Sequence, residues 1–348
     1  MKLFSYLSFV GVVALFVFIP SGKTEAQSFQ IITSPLPIKL TLKPGQSTSI
    51  NLRVKNQGPI AEPISVGLMK FTASSTNGSP NISKLSASDN YSWISFSPSS
   101  IEAQPNIWYT VVMNINVPKT ASLGYYLAAT FSGQTTKEKT NGTSLNGVVA
   151  TPVLINVVTP NETESMNLVN FSADQGFYEY LPANFTVLLK NTGNIYLSPI
   201  GNIFIYKGSK LVDTLYVNDA GGSILPGSQR AFNVTWSDGF PYYKEALFSG
   251  VPKLDNHGKF IENLSWNFSN ITKLRFGEYS AKLIIVYNNG SVDVPISSSL
   301  NFWVIPWKLI LIGVLTPTAI GYGLYKYGQY RGRKADKKKQ KASSNTSK

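Results

Sequence analysis

Between residues 29 and 305 the apolar positions recur in short runs that alternate with polar ones or are apolar throughout. They include Lys39 to Leu42 (KLTL), Ser49 to Asn56 (SINLRVKN), Phe185 to Asn191 (FTVLLKN), Asn202 to Lys207 (NIFIYK), Ala231 to Trp236 (AFNVTW), Lys282 to Tyr287 (KLIIVY) and Leu300 to Ile305 (LNFWVI). Successive side chains on a strand point to opposite faces, so a period of two marks a half-buried strand, and a short unbroken apolar run marks one covered on both faces. Gly, Pro, Asn and Ser separate the runs, and no helical period of comparable length lies among them. Many short strands at fairly regular intervals predict an all-β exterior of β-sandwiches.

An internal repeat fixes the number of sandwiches. Ser49 to Gly58 aligns with Asn184 to Gly193, each a strand ending in Lys-Asn-x-Gly: Lys55-Asn56-Gln57-Gly58 and Lys190-Asn191-Thr192-Gly193. Asn and Gly tolerate the positive φ that a sharp exit from a strand demands. Gly124-Tyr125-Tyr126 likewise matches Gly277-Glu278-Tyr279 at the start of a late strand, which makes Tyr126 and Tyr279 the expected tyrosine-corner residues. The expectation is two tandem immunoglobulin-like β-sandwich domains, 29–158 and 159–305, joined at Pro160 to Ser165, with an insertion at 237–276 in the second. Long connections are expected at Ala73 to Ser92, Thr135 to Gly147 and Ser237 to Phe276.

Two longer apolar runs lie outside the strand region. Lys2, the run from Leu3 to Ile19 and Thr24-Glu25-Ala26 read as a signal peptide over 1–26. The run from Trp307 to Tyr325, as a helix rising ~1.5 Å per residue, is about as long as a bilayer's hydrocarbon core is thick. It predicts a transmembrane helix over 306–326. Trp303, Trp307 and the snorkelling Lys308 stand at one end of it, and Tyr325 with its neighbouring tyrosines at the other. From Lys326 onward there are nine Lys or Arg and one Asp. Such a tail, here 327–348 with Arg331, Arg333, Lys334, Lys337, Lys338 and Lys339, is retained on the cytoplasmic side. The chain is thus expected in the cell membrane as a single-pass protein with its N-terminal domains outside.

The formal net charge of +13 suggests nucleic acid, but the tail alone supplies eight of those charges, so no nucleic-acid surface is implied. Membrane lipid is the partner that the anchor and its basic flank imply. The chain has no cysteine, which leaves its exterior to be held by apolar cores. His257 is the only histidine and stands among Asp255, Asn256 and Gly258, a turn composition with no catalytic partners, so no enzyme activity, metal or cofactor is expected. Asn218-Asp219-Ala220-Gly221 reads as a turn. The sequons from Asn77 to Asn289 read either as surface glycosylation sites or as those of an Asn/Ser/Thr-rich secreted sequence that is not glycosylated, and Asn184 and Asn233, inside strands, favour the second. The candidate binding residues are the insertion's aromatics, Tyr242, Tyr243, Phe248, Trp266 and Phe268. In an immunoglobulin-like order the insertion sits at the anchor end, where these rings either cover a sheet edge or rest on headgroups or a partner.

The signal segment, the opening PIKLTLKPGQSTSINLRVKNQG, the Trp-Ile-x-Phe-Ser-Pro of Trp93 to Pro98, the Val-Pro-Lys of Val117 to Lys119 leading to Gly124-Tyr125, a second sandwich, a helix and a basic tail together resemble the WxL-interacting proteins of bacterial cell surfaces. That resemblance implies a first domain associated with peptidoglycan and a second that meets WxL partners or host matrix, with no site residues carried over. Similar tandem sandwiches occur in archaeal surface-layer-type proteins and in membrane-complex subunits. The functional expectation is a non-enzymatic cell-surface protein that binds cell-wall polymer or another surface protein. The alternative is an accessory subunit of a membrane transport or secretion complex.

Overall fold

The computed structural model describes residues 29–74, 76, 79–133 and 147–345, with side-chain surroundings as far as residue 334. The signal segment and most of the 135–147 connection lie outside the described residues.

Four larger sheets pair into two sandwich halves. In the first half one sheet runs Ile31–Ser34, Ser47–Asn56, Trp108–Asn116, Ile94–Ser97 in spatial order. The facing sheet runs Ile38–Leu42, Val148–Val157, Leu123–Gly133, Glu62–Ser74, Ser79–Ser83, and Ser100–Ala103 also pairs with Glu62–Ser74. The second half repeats the pattern, with Met166–Ala173, Ala183–Asn191, Gln229–Trp236 against Phe177–Tyr178, Asp293–Val304, Gly277–Asn288, Ile200–Lys207, Lys210–Val217. In both halves the first strand splits, its second piece crossing to lie parallel to the last strand while every other large pairing is antiparallel. This is the immunoglobulin strand order, found twice.

The period-two pattern explains the burial. Along Ala183–Asn191 the odd positions Ala183, Phe185, Val187, Leu189 and Asn191 face inward, opposed by Tyr279, Ala281, Leu283 and Ile285 of Gly277–Asn288. Leu52, Val54, Met113, Leu127, Phe131 and Ile155 do the same in the first half. The buried apolar residues fall into two separate clusters, one per half.

Several sequence expectations change. The connection from Ala73 to Ser92 is not all loop, because Ser79–Ser83 turns back and extends the sheet. Gly58 and Gly193 do not adopt positive φ. Instead Asn56 and Asn191 are buried braces: each accepts from the backbone N–H two residues on (2.8 and 2.9 Å) and donates to the carbonyl four residues on (2.6 and 2.7 Å). Each donates once more to a distant carbonyl, Ala103 O or Ile224 O (2.9 and 2.8 Å). Gly193 is glycine because a Cβ there would lie 2.2 Å from Thr163 O. The 160–165 junction is correspondingly tied down, with Thr163 N–H donating to Asn194 Oδ1 and Asn194 Nδ2 donating to Asn161 O.

The tyrosine correspondence is off by one. Phe276 N–H donates to Tyr279 Oη and Ser122 N–H to Tyr125 Oη, each at 3.3 Å and three residues back. Leu127, Ala129 and Phe131 face the core, so alternation puts Tyr125 inward and Tyr126 outward, where its ring meets Tyr196 of the second half. Tyr125→Phe and Tyr279→Phe should each lower stability by about 0.5–1 kcal/mol, as one modest hydrogen bond allows. Urea unfolding of the detergent-solubilised protein measures this, and no loss at Tyr279→Phe would remove the corner assignment.

Candidate functional site

The last strand, Asp293–Val304, gives way after two residues to a helix, Trp307–Asn345. The basic stretch expected as a tail is therefore helical almost to its end. Trp303 belongs to the strand and Trp307 to the first helical turn. The portion Trp307–Lys334 is long and apolar enough to cross a membrane, and none of its most apolar window is buried against the protein. Ile312, Val314, Leu315, Ile320 and Leu324 are all exposed. Pro317 is accommodated within the helix, and Thr318 Oγ1 donates to Val314 O at 2.7 Å.

Each end of this stretch has its own chemistry. At the start Lys308 Nζ pairs with Glu179 Oε2 at 2.8 Å, tying the first turn to the second sandwich half. At the far end Lys326 stands over the Tyr322 ring, Arg331 over Tyr327 and Lys334 over Tyr330, at 5.6–6.0 Å. A cation over a ring is attracted by its quadrupole, so Tyr and Lys/Arg share one band there. Tyr325 is exposed beside them and Arg333 lies on the same helix. Lys337, Lys338 and Lys339 continue the helical backbone.

The insertion is built, not loose. Tyr242–Glu245 pairs with Glu262–Ser265, Leu247–Phe248 pairs with Val251–Pro252, and Phe268–Lys273 forms 3-10 turns capped by Asn267. Its two stems are clamped together. Asp238 takes ion pairs from Lys273 and Arg275, both at 2.5 Å, Arg275 Nε donates to Asp238 O, and Phe240 N–H donates to Lys273 O. Of the candidate residues, Trp266 and Phe268 come together around Phe240, with ring centroids 5.4–6.3 Å apart. Tyr243 packs on Tyr180, and burial followed by the nearby Glu179 charge pushes its phenol above the ordinary value. Tyr242 is half-buried beside it. Phe248 stands apart at the tip of the small hairpin, 75% exposed. The aliphatic members Leu247, Val251 and Leu254 escaped a reading that counted only aromatics, although they stand in the same forty residues.

A second feature had no sequence signal. Where the halves meet, a groove of about 480 Å³ is lined by Leu36, Pro37, Phe71, Pro152, Leu225 and Arg230. Lys39 Nζ crosses beside it to donate to Ser198 Oγ (2.9 Å) and Gly221 O (2.5 Å), and Ala231 N–H reaches Thr76 O. Burial, and then the Arg230 charge, pull the Lys39 pKa below the usual lysine value, and burial lowers Arg230 as well. Elsewhere, His257 sits in a turn whose backbone N–H groups at 257 and 259 donate to Asp255 Oδ1, and Asn218 is a turn residue with φ 58°.

No family model matches the chain, and no curated protein does. Solved structures with similarity include the class 5 fimbriae chaperone CfaA, 12% identical over 78% of this chain and 99% of that one, with a TM-score of 0.35. The Pseudomonas aeruginosa CupB2 chaperone is 8% identical over 78% and 100%, with a TM-score of 0.32, and the E. coli chaperone DraB 10% identical over 80% and 97%, with a TM-score of 0.31. At such scores the likeness carries no weight for function.

Proposed function

We propose that this chain is a non-enzymatic, single-pass cell-surface protein, in which two immunoglobulin-like domains are held outside the membrane by the helix at Trp307 and bind another surface protein or cell-wall polymer. One observation carries the reading: a helix of membrane-spanning length leaves the last strand with its apolar side chains unburied. An unsheltered run of Ile, Leu and Val has no stable place in water. The basic residues beyond Tyr325 supply a cytoplasmic stop, and Tyr and Trp flank the run at its two ends. For partners the sandwiches offer the groove at their junction. They also offer two sheet edges, Ser79–Ser83 and Lys210–Val217, each the last strand of its sheet, and such edges accept an added strand. The resemblance to WxL-interacting proteins favours wall polymer and surface proteins as the classes to try first.

Protease added to wall-stripped cells is expected to remove both domains and leave a membrane fragment that begins near Trp307; protection of the domains overturns the topology. Replacing residues 307–325 with an unrelated apolar helix should preserve crosslinking of the exterior to its partners. Loss of those crosslinks would favour a subunit that works through its helix face inside a membrane complex.

A further inference from the structure

The insertion presents an apolar surface that its own domain leaves open. Among the described residues before Trp307, ten of the twenty-four exposed large hydrophobics lie between Leu247 and Phe276. Phe268 is 66% and Val251 65% exposed. Single exposed apolar side chains are ordinary, but such a concentration in one built segment marks a contact surface.

Its place in the fold indicates what it touches. Gly277, where the insertion re-enters the sheet, pairs with Val304, and Phe240 bridges to Leu274 at the other stem. Trp236, Gly277, Val304, Ala183 and Phe177–Tyr178 all belong to one end of the second sandwich, since they pair with one another: Ala183 with Trp236, Gly277 with Val304, Phe177 with Trp303. The helix leaves from that same end. The insertion's first hairpin runs beside it, with Tyr243 N–H donating to Leu181 O two residues from Glu179, the residue that holds Lys308. Phe177 and Trp303, both exposed and paired with each other, add apolar surface at this end beside the root of the helix. The ion pairs of Asp238 with Lys273 and Arg275 keep the stems together, so the surface is presented in a fixed position.

We propose that this insertion is a second membrane contact, in which Phe248, Val251, Trp266 and Phe268 enter the outer interface of the same bilayer that the helix crosses. The inference rests on the anchored reading above. Apolar side chains of an interfacial element sit roughly 5–10 Å into the boundary between headgroups and acyl chains, and Trp is favoured there. One crossing helix, joined to the sandwich through two residues and the Lys308–Glu179 pair, leaves the sandwich room to swing. A clamped apolar platform beside it restricts that swing and sets which faces of the domains look outward.

Because the chain has no cysteine, single-cysteine variants of the full-length protein can carry an environment-sensitive fluorophore without background. The variants Phe248→Cys, Phe268→Cys, Tyr216→Cys and Val314→Cys are reconstituted into phosphatidylcholine–phosphatidylglycerol vesicles, with near-ultraviolet circular dichroism confirming that each folds. Tyr216 is exposed and pairs with Asn202, which pairs with Ile284, well along the sheet from the anchor end. The expected result is blue-shifted emission, quenched by lipid-borne nitroxide, at 248 and 268 but not at 216, with deep quenching at 314. Lipid quenching at 314 with iodide quenching at 248 and 268 would overturn the proposal and spare the anchor. Shielding of 248 and 268 from both quenchers would also overturn it, by showing a protein contact there. Absence of lipid quenching at 314 would sink the anchored reading and this inference together.

Discussion

Trp236→Ala should destabilise the second sandwich half by about 3–5 kcal/mol, the usual cost of deleting a fully buried large aromatic. The indole is wholly inaccessible to solvent and holds two parts of the structure at once. Inside, its ring meets Tyr279 at 5.2 Å and Phe302 at 5.9 Å, and Phe302 in turn meets Phe185 and Tyr178, so one side chain ties both sheets into a single aromatic cluster. At its polar edge Nε1 donates to Asp213 Oδ2 at 3.0 Å, and the Arg275 guanidinium lies 5.5 Å from the ring centroid. Truncation therefore opens a cavity, removes the indole donor from one oxygen of Asp213 and loosens the stem of the insertion. At roughly 2–4 °C per kcal/mol for a domain of this size, the melting temperature of the second half should fall by about 6–20 °C. Thermal melts of the detergent-solubilised protein, followed by near-ultraviolet circular dichroism, measure it. A loss under about 1 kcal/mol would mean that the sandwich does not close over Trp236.

The fold class was legible because strand periodicity is local: Phe185, Val187 and Leu189 advertise their face by spacing alone, and the Lys-Asn-x-Gly repeat counts the halves. What each repeated residue does was not legible in the same way. Tyr126 aligns with Tyr279 letter by letter, yet only the pleat decides which of two adjacent tyrosines turns inward, and in the first half it is Tyr125. The insertion could be placed at the end from which the C-terminal helix leaves because strand order fixes where the fifth-to-sixth strand connection lies. Its openness followed from nothing in the composition, since the same rings would serve equally well folded against a sheet edge. The groove at the junction lay beyond reach because its lining runs from Leu36 to Arg230 and meets only when the halves dock. The helical course of the basic stretch was hidden for another reason. Lys, Gln and Ala permit a helix as readily as a solvated tail, and charge alone does not choose between them.

Asn56→Ala and Asn191→Ala should each cost about 2–4 kcal/mol, and each should do so in its own half. The two asparagines are 2% and 0% exposed. Alanine removes the acceptor of Gly58 N–H and the amide donor to Ile60 O and Ala103 O in the first half; in the second it removes the donor to Ile195 O and Ile224 O, while Gly193 N–H keeps Ser165 O and Ile224 O keeps Leu197 N–H. A buried polar group left without its partner costs roughly 1–3 kcal/mol, more than the net worth of the bond itself, because water no longer reaches it. Asn191→Asp separates this account from one based on turn propensity, since Asp suits a turn about as well as Asn. The acid can donate to a carbonyl only when protonated, so the folded state raises its pKa above the unfolded value of ~3.9. With a single O–H it replaces one of the two amide donations, so its stability loss should be smallest below that value and should grow as the pH rises through the folded pKa. Denaturant unfolding of Asn191→Asp at pH 4 and pH 7 should therefore show the larger loss at pH 7. Equal losses at the two values, or a harmless Asn191→Ala, would mean that the repeat is kept for its turn and not for its buried amide.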